Sequence, residues 1–252
     1  MATQQQLLSA FDSLLQPGRF KDYGPNGLQV EGKAEVSRIV SGVTASASLI
    51  EAAIAARADA IFVHHGLFWR GQDGRVTGWM KQRLALLLGH DINLFAYHLP
   101  LDAHPELGNN AQLGLKLGLI ATSRFGDQEL GFLGQRGDGT AFADGPALAL
   151  HLEQVLQRPV VRVAGAGGPL RSIAWCTGGA QGYFEDAIAA GAQAFITGEI
   201  SEPQAHYARE CGVTYLACGH HATERYGAPA VAGQVAAEYG IEHRFIDIDN
   251  PA

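Results

Sequence analysis

The chain has 252 residues, of which 47% are apolar and 17% charged, and a formal net charge of −7. The apolar share excludes a disordered chain, three cysteines cannot staple a chain of this length, and the acidic balance speaks against a phosphate-binding nucleic-acid partner. Ten histidines stand beside two methionines and three cysteines, an excess that raises metal or proton chemistry.

From the N-terminus, Leu7, Leu8, Phe11, Leu14 and Leu15 recur on one face and predict a helix over 3–16, stopped by Pro17-Gly18. Such a start lacks the basic segment and apolar run of a secretory signal. No apolar stretch approaches the ~20 residues of a membrane span. Cys176, Cys211 and Cys218 are odd in number and lack CxxC spacing, so reduced thiols and a cytoplasmic protein are expected. Next come a strand at 37–43, a helix at 46–57, a strand at 59–63, a helix at 79–89, a strand at 92–97 and a helix at 109–118. The stretch 123–168 is richer in Gly turns, with strands at 129–135 and 159–163 around a helix at 145–156. Alternation then resumes: strand 171–176, helix 182–190, strand 193–197, helix 202–210, strand 213–218, helix 222–238, strand 242–247.

Strands alternating with helices at this spacing predict an α/β fold with largely parallel sheets. Residues 38–66 align without a gap on 172–200, so that Ile39 meets Ile173 and Ala60 meets Ala194. With a small change of offset, His98 meets His220 and Asp102 meets Glu224. The expected architecture is an internal duplication: a first half at 1–122, a middle segment at 123–168 and a second half at 169–252, with the halves around one metal crevice. Ligands of open α/β sheets bind beyond the carboxyl ends of strands.

Four segments follow predicted strands and carry candidate ligands. His64-His65-Gly66 ends an apolar strand, and a turn there lets both imidazoles face one pocket, with Gly66 supplying backbone freedom. In YHLPLDAH (97–104), Pro100 points to a loop. Asp102 there is a candidate hard oxygen ligand or a turn residue, and His98 a ligand, an orienting group or an acid/base. His220 and Glu224 are four apart and on a helix would share one face, whereas His221 would point elsewhere and reads as structural. Glu199 falls where His65 falls in the repeat, as a general base, a substrate-holding group or a salt-bridge partner. Three His and two carboxylates with no Cys suit Zn, Fe, Mn or Co. Five donors exceed what one open catalytic ion needs and suit two divalent ions about 3.5–4 Å apart, bridged by Glu224. Gly178-Gly179-x-x-Gly182 is either a phosphate cradle or a tight turn.

NGLQVEG (26–32), FVHHGLFW (62–69), YHLPLDAHPELGNN (97–110), ITGEI (196–200) and GHHATERYG (219–227) together resemble the GTP cyclohydrolase I type 2 homolog family, the YbgI-like or Nif-three-like proteins. The resemblance spans essentially the whole chain. It implies a dinuclear metal centre in which His65 and Asp102 bind one ion, His64 and His220 the other, and Glu224 both. It also implies a ring-shaped homohexamer, a trimer of dimers. Family members often carry Tyr after the GHxxxE histidine, where this chain has His221. The expected function is dinuclear-metal-dependent hydrolysis of a small molecule, by resemblance GTP cyclohydrolase-type opening of an imidazole ring with release of formate, with Glu199 and His98 as proton-transfer groups. The alternative is a non-catalytic metal-binding, chaperone or regulatory assembly. No membrane or nucleic-acid partner is expected.

Overall fold

The computed structural model describes Met1–Ala252. It divides into two compact units, 1–108 with 225–249, and 109–224 with 250–252. No helix is long and apolar enough to cross a membrane.

The first unit is built on a five-stranded sheet in the order Glu242–Phe245, Arg38–Thr44, Ala60–His65, Asn93–Ala96, Gly27–Val30. The first four strands run parallel and the last is antiparallel. Its central strands are near-continuous apolar runs because both faces are covered. Ile39, Ala60 and Phe62 point to one face, where they meet Leu7, Phe11 and Leu15 of the Gln4–Leu15 helix and Val231 and Val235 of the Gly227–Tyr239 helix. Val40, Ile61 and Val63 point to the other, against Leu49 and Ile50 of the Ala47–Ala55 helix and Leu87 of the Gly78–Gly89 helix. The N-terminal helix starts on a reciprocal cap between Thr3 and Gln6 and stops at Gln16, in the left-handed region, before Pro17.

The second unit holds a six-stranded sheet in the order Leu119–Phe125, Gly131–Arg136, Ile173–Trp175, Ala194–Thr197, Thr214–Ala217, Val161–Val163. Only the three strands from Ile173 to Ala217 are mutually parallel, and antiparallel strands flank them on both sides. Phe184, Phe195 and Tyr215 pack in its core, Phe184 edge-on to Tyr215 with ring centroids 4.8 Å apart.

The repeat read from the sequence reappears as register. In the first unit Ile39 pairs Ala60 and Ala60 pairs Asn93. In the second, Ile173 pairs Ala194 and Ala194 pairs Thr214. Ile39 with Ile173 and Ala60 with Ala194 are positions that the sequence alignment superposes, and Thr214 lies one residue before Tyr215, the residue that the His98–His220 offset sets against Asn93, so each unit repeats one three-strand parallel core, and the α/β expectation holds.

The partition differs from 1–122, 123–168 and 169–252. The final helix and strand return to the first unit, where Glu242 pairs Arg38 and supplies the neighbour that the Arg38–Thr44 edge lacks. The 123–168 stretch is no separate part, since its strands border both sides of the second sheet. Besides the short Ala2–Thr3 and Glu35–Val36 pair, two strands escape pattern reading. Leu119–Phe125 is exposed along most of its length and shows no alternation, and Gly27–Val30 is four residues long.

Asp59 closes the entry to the Ala60–His65 strand. It accepts from Lys33 Nζ (2.7 Å), Ser37 Oγ (2.7 Å), Ser37 N (3.0 Å) and Arg38 N (3.2 Å). Burial pushes its carboxyl up, but the Lys33 and Ser37 hydrogen bonds outweigh it and bring the pKa from the ordinary 3.8 to about 2. A depressed folded-state pKa stabilises the fold above pH 3.8, and that contribution is lost as pH falls through about 2. Asp59→Asn is expected to lose on the order of 2 kcal/mol of unfolding free energy at pH 7. The gap from wild type should close between pH 4 and pH 2 in urea titrations, and a gap independent of pH would refute the assignment.

Candidate metal-binding site

In the first unit the donors gather where the parallel strands end. His64 is fully buried and His65 half-buried at the end of Ala60–His65, with ring centroids 4.4 Å apart. His64 Nδ1 lies 3.1 Å from the Tyr97 carbonyl. A carbonyl only accepts, so the neutral ring carries its proton on Nδ1 and its lone pair on Nε2. Nε2 in turn faces Asp102 Oδ1 at 3.5 Å. A lone pair opposite a carboxylate suits a shared cation, whether a proton or a metal ion. Tyr97 is itself anchored, its hydroxyl donating to Asp12 Oδ1 at 2.6 Å. His65 Nδ1 meets Thr44 Oγ1 at 3.1 Å. One ring nitrogen from each of His64, His65 and His98 lies within 4.8 Å of the others, a group that could hold a metal ion.

Two local readings change. The segment after His98 is not a loop but a short helix, Leu99–Ala103. Pro100 sits in its first turn, where a missing N–H costs nothing and a fixed φ favours the helix. That turn carries the buried Asp102. Gly66 is needed for space rather than for backbone freedom. A methyl group there would collide with the Gln29 side chain, whose carbonyl accepts from Leu67 N at 2.8 Å and pins the segment.

In the second unit His220 opens a single helical turn, His220–Thr223, after Gly219, and Glu224 follows it. His220 Nε2 lies 3.3 Å from Glu224 Oε2, so the two share a face as the spacing implies. Its Nδ1 lies 2.6 Å from Glu199 Oε1. Glu199 thus contacts the candidate ligand histidine from behind, the place of a group that orients a ligand and raises its basicity. Burial lowers the His220 pKa, but the Glu224 and Glu199 hydrogen bonds and charges outweigh it and raise it to about 9. Gly178, at φ +68°, lets the chain pass against this pair, because a methyl group there would collide with the Glu224 carboxylate. Its N–H donates to Thr223 Oγ1 at 3.0 Å, so this N–H is already satisfied within the fold.

The remaining histidines have local partners. His206 pairs with exposed Glu202 one helical turn away (2.8 Å) and lies outside the donor groups. His90 and His151 bond the Leu86 and Leu117 carbonyls, His104 accepts from Leu107 N, and His243 meets Ser41 Oγ. His221 is buried, its main-chain N–H bonded to the Ala252 carbonyl. Sequence reading passed over Asp22 and Asn26, which both touch His98. The only signal was the NGLQVEG segment that begins at Asn26.

The family model Duf34/NIF3 (NGG1p interacting factor 3) matches residues 2–251. A protein of Neisseria meningitidis named GTP cyclohydrolase 1 type 2 homolog is 48% identical over 252 residues, all of both chains. A homolog of the same name from Allochromatium vinosum is 50% identical over 256 residues, covering 100% of this chain and 98% of its own. Among solved structures, one described as protein ybgI, of unknown function, matches all of both chains with a TM-score of 0.95 and 42% identity.

Glu199→Gln is expected to lower the His220 pKa from about 9 in metal-free protein, because it removes a negative charge from Nδ1. An NMR titration of the His220 ring reads this directly, and an unmoved midpoint would show that Glu199 does not act on the ring.

Proposed function

Because the chain belongs to the Duf34/NIF3 family, we propose that it is a divalent-metal-dependent hydrolase of a small molecule. The carrying observation is that each candidate ligand histidine has its Nδ1 tied to a neighbour, Tyr97 O, Thr44 Oγ1 or Glu199, which aims Nε2 outward. The donor set of imidazoles and carboxylates without cysteine fits Zn, Fe, Mn or Co. In this reading His64, His65, Asp102, His220 and Glu224 would hold two divalent ions, with Glu224 a ligand to both.

Bound divalent ions supply Lewis acidity, making water nucleophilic near neutral pH and polarising the bond to be broken. The chain's own residues do the rest. Tyr97 and Thr44 hold the paired histidines in register, Glu199 orients His220, and His98 serves as proton-transfer partner. Glu199, offered from sequence as an acid/base, is better placed to position His220. The names of the relatives support a heterocyclic substrate, with imidazole-ring opening of a guanine nucleotide and formate release as the first reaction to test. The proposal extends to a cytoplasmic homohexamer, which light scattering would register as six times the chain mass.

Glu224→Ala is expected to lower bound metal from two ions per chain to one or none, measured by elemental analysis after reconstitution. His221→Ala should retain both. Full two-ion occupancy in Glu224→Ala would remove the bridging role. A formate-release screen of the fully loaded protein over nucleotides and cyclic amides tests the activity, and silence across that panel would favour a metal-handling protein without catalysis.

A further inference from the structure

Asp22 lies in the irregular segment after the N-terminal helix, far in sequence from every candidate ligand, yet it holds the His98 ring. Its side chain is 4% exposed. Burial pushes its carboxyl up, but the hydrogen bond and charge of His98, the Asn26 amide and the Tyr23 N–H more than offset this, and Asp22 stays below the ordinary carboxylate range. It is an anion, and an ionised carboxylate only accepts hydrogen bonds.

Both of its oxygens are in use. Oδ1 accepts from Tyr23 N at 2.6 Å and contacts His98 Nδ1 at 2.7 Å. Oδ2 accepts from Asn26 Nδ2 and from Leu99 N, each at 2.9 Å. The Asn26 carbonyl accepts from His98 N at 2.7 Å. Two side chains from the 22–26 loop thus clamp the ring of His98 and the main chain on both of its sides. The ring is also walled in, edge-on to Trp69 at 5.0 Å and 5.0 Å from His64 between centroids. An acceptor at Nδ1 requires an N–H there. A neutral imidazole has one N–H, so Nε2 carries the lone pair and is the His98 nitrogen available to the group formed with His64 and His65.

We propose that Asp22 is a positioning residue of this site: it fixes His98 as the Nδ1–H tautomer and turns the Nε2 lone pair toward the His64 and His65 nitrogens. Asn26 holds the backbone from which the ring projects. The use of that lone pair as a proton acceptor rests on the hydrolase reading above, whereas the tautomer does not.

The test uses the full chain loaded with Zn²⁺ and labelled with ¹⁵N-histidine, read by long-range ¹H–¹⁵N correlation at pH 8, with His98→Gln to assign the ring. Wild type is expected to show a proton on His98 Nδ1 and none on Nε2. Asp22→Asn, whose amide can donate to Nδ1, should move the proton to Nε2. Asn26→Ala, which loosens the loop but keeps the carboxylate, should retain the wild-type pattern. An Nε2–H form in wild type, or an unchanged tautomer in folded Asp22→Asn, overturns the proposal. Should Asp22→Asn fail to fold, the wild-type tautomer decides. On any substrate found in the formate screen, Asp22→Asn should lower kcat on the order of 10²- to 10⁴-fold without raising KM. A raised KM with unchanged kcat would overturn the positioning role. An inactive protein with the expected tautomer sinks the hydrolase reading alone.

Discussion

An imidazole can present a lone pair in a chosen direction only if its other nitrogen is held. That requirement organises this protein. The His64 ring is fixed by a main-chain carbonyl, the His65 ring by a threonine hydroxyl, and the His98 and His220 rings by carboxylates at 2.7 and 2.6 Å. Each anchor depends on a strand end being in place. The Tyr97 carbonyl reaches His64 because Asn93–Ala96 runs parallel to Ala60–His65 with Val63 opposite Ala96. The Tyr97 side chain in turn reaches back to Asp12 on the N-terminal helix. Core packing and site geometry are therefore one construction: the apolar strands set the register, and the register sets which group meets which nitrogen.

The two units repeat that construction with different parts. The third parallel strand leads to His98 in one and to His220 in the other, the pair that the sequence alignment superposes, although the strand register places them one residue apart. Both rings have a carboxylate on Nδ1, yet its source differs. In the second unit it is Glu199, at the position equivalent to His65. In the first unit that position is taken by a candidate ligand, and the carboxylate comes instead from Asp22, in the loop after the N-terminal helix. The repeated core thus has this bond in both units but from different suppliers, since what acts on the ring is the charge and the acceptor, not the chain position that delivers them.

The histidine excess that first suggested metal chemistry dissolves into two groups. His64, His65, His98 and His220 have ring nitrogens among donor groups. His90, His104, His151, His206, His221 and His243 satisfy carbonyls, N–H groups, a hydroxyl, a surface glutamate or the core. Composition counts both alike, because an imidazole is as useful for closing a turn as for facing an ion.

Sequence alone determined the α/β class, the repeat and the short spacings, because strand period, helix period and i,i+4 geometry are local properties of the chain. His64-His65 after an apolar run, and His220 with Glu224 one turn apart, were legible for that reason. Only the tertiary structure decided the rest. It sent the last helix and strand to the first sheet, made Pro100 the start of a helix, and assigned Gly66 and Gly178 to close packing against Gln29 and Glu224. It also brought Asp22 to His98 and Glu199 to His220 across 76 and 21 residues. Hydrophobic periodicity shows that a strand must be buried, but not which edge it joins. Polar partners remote in sequence leave no periodic trace, since nothing but the folded register brings them together.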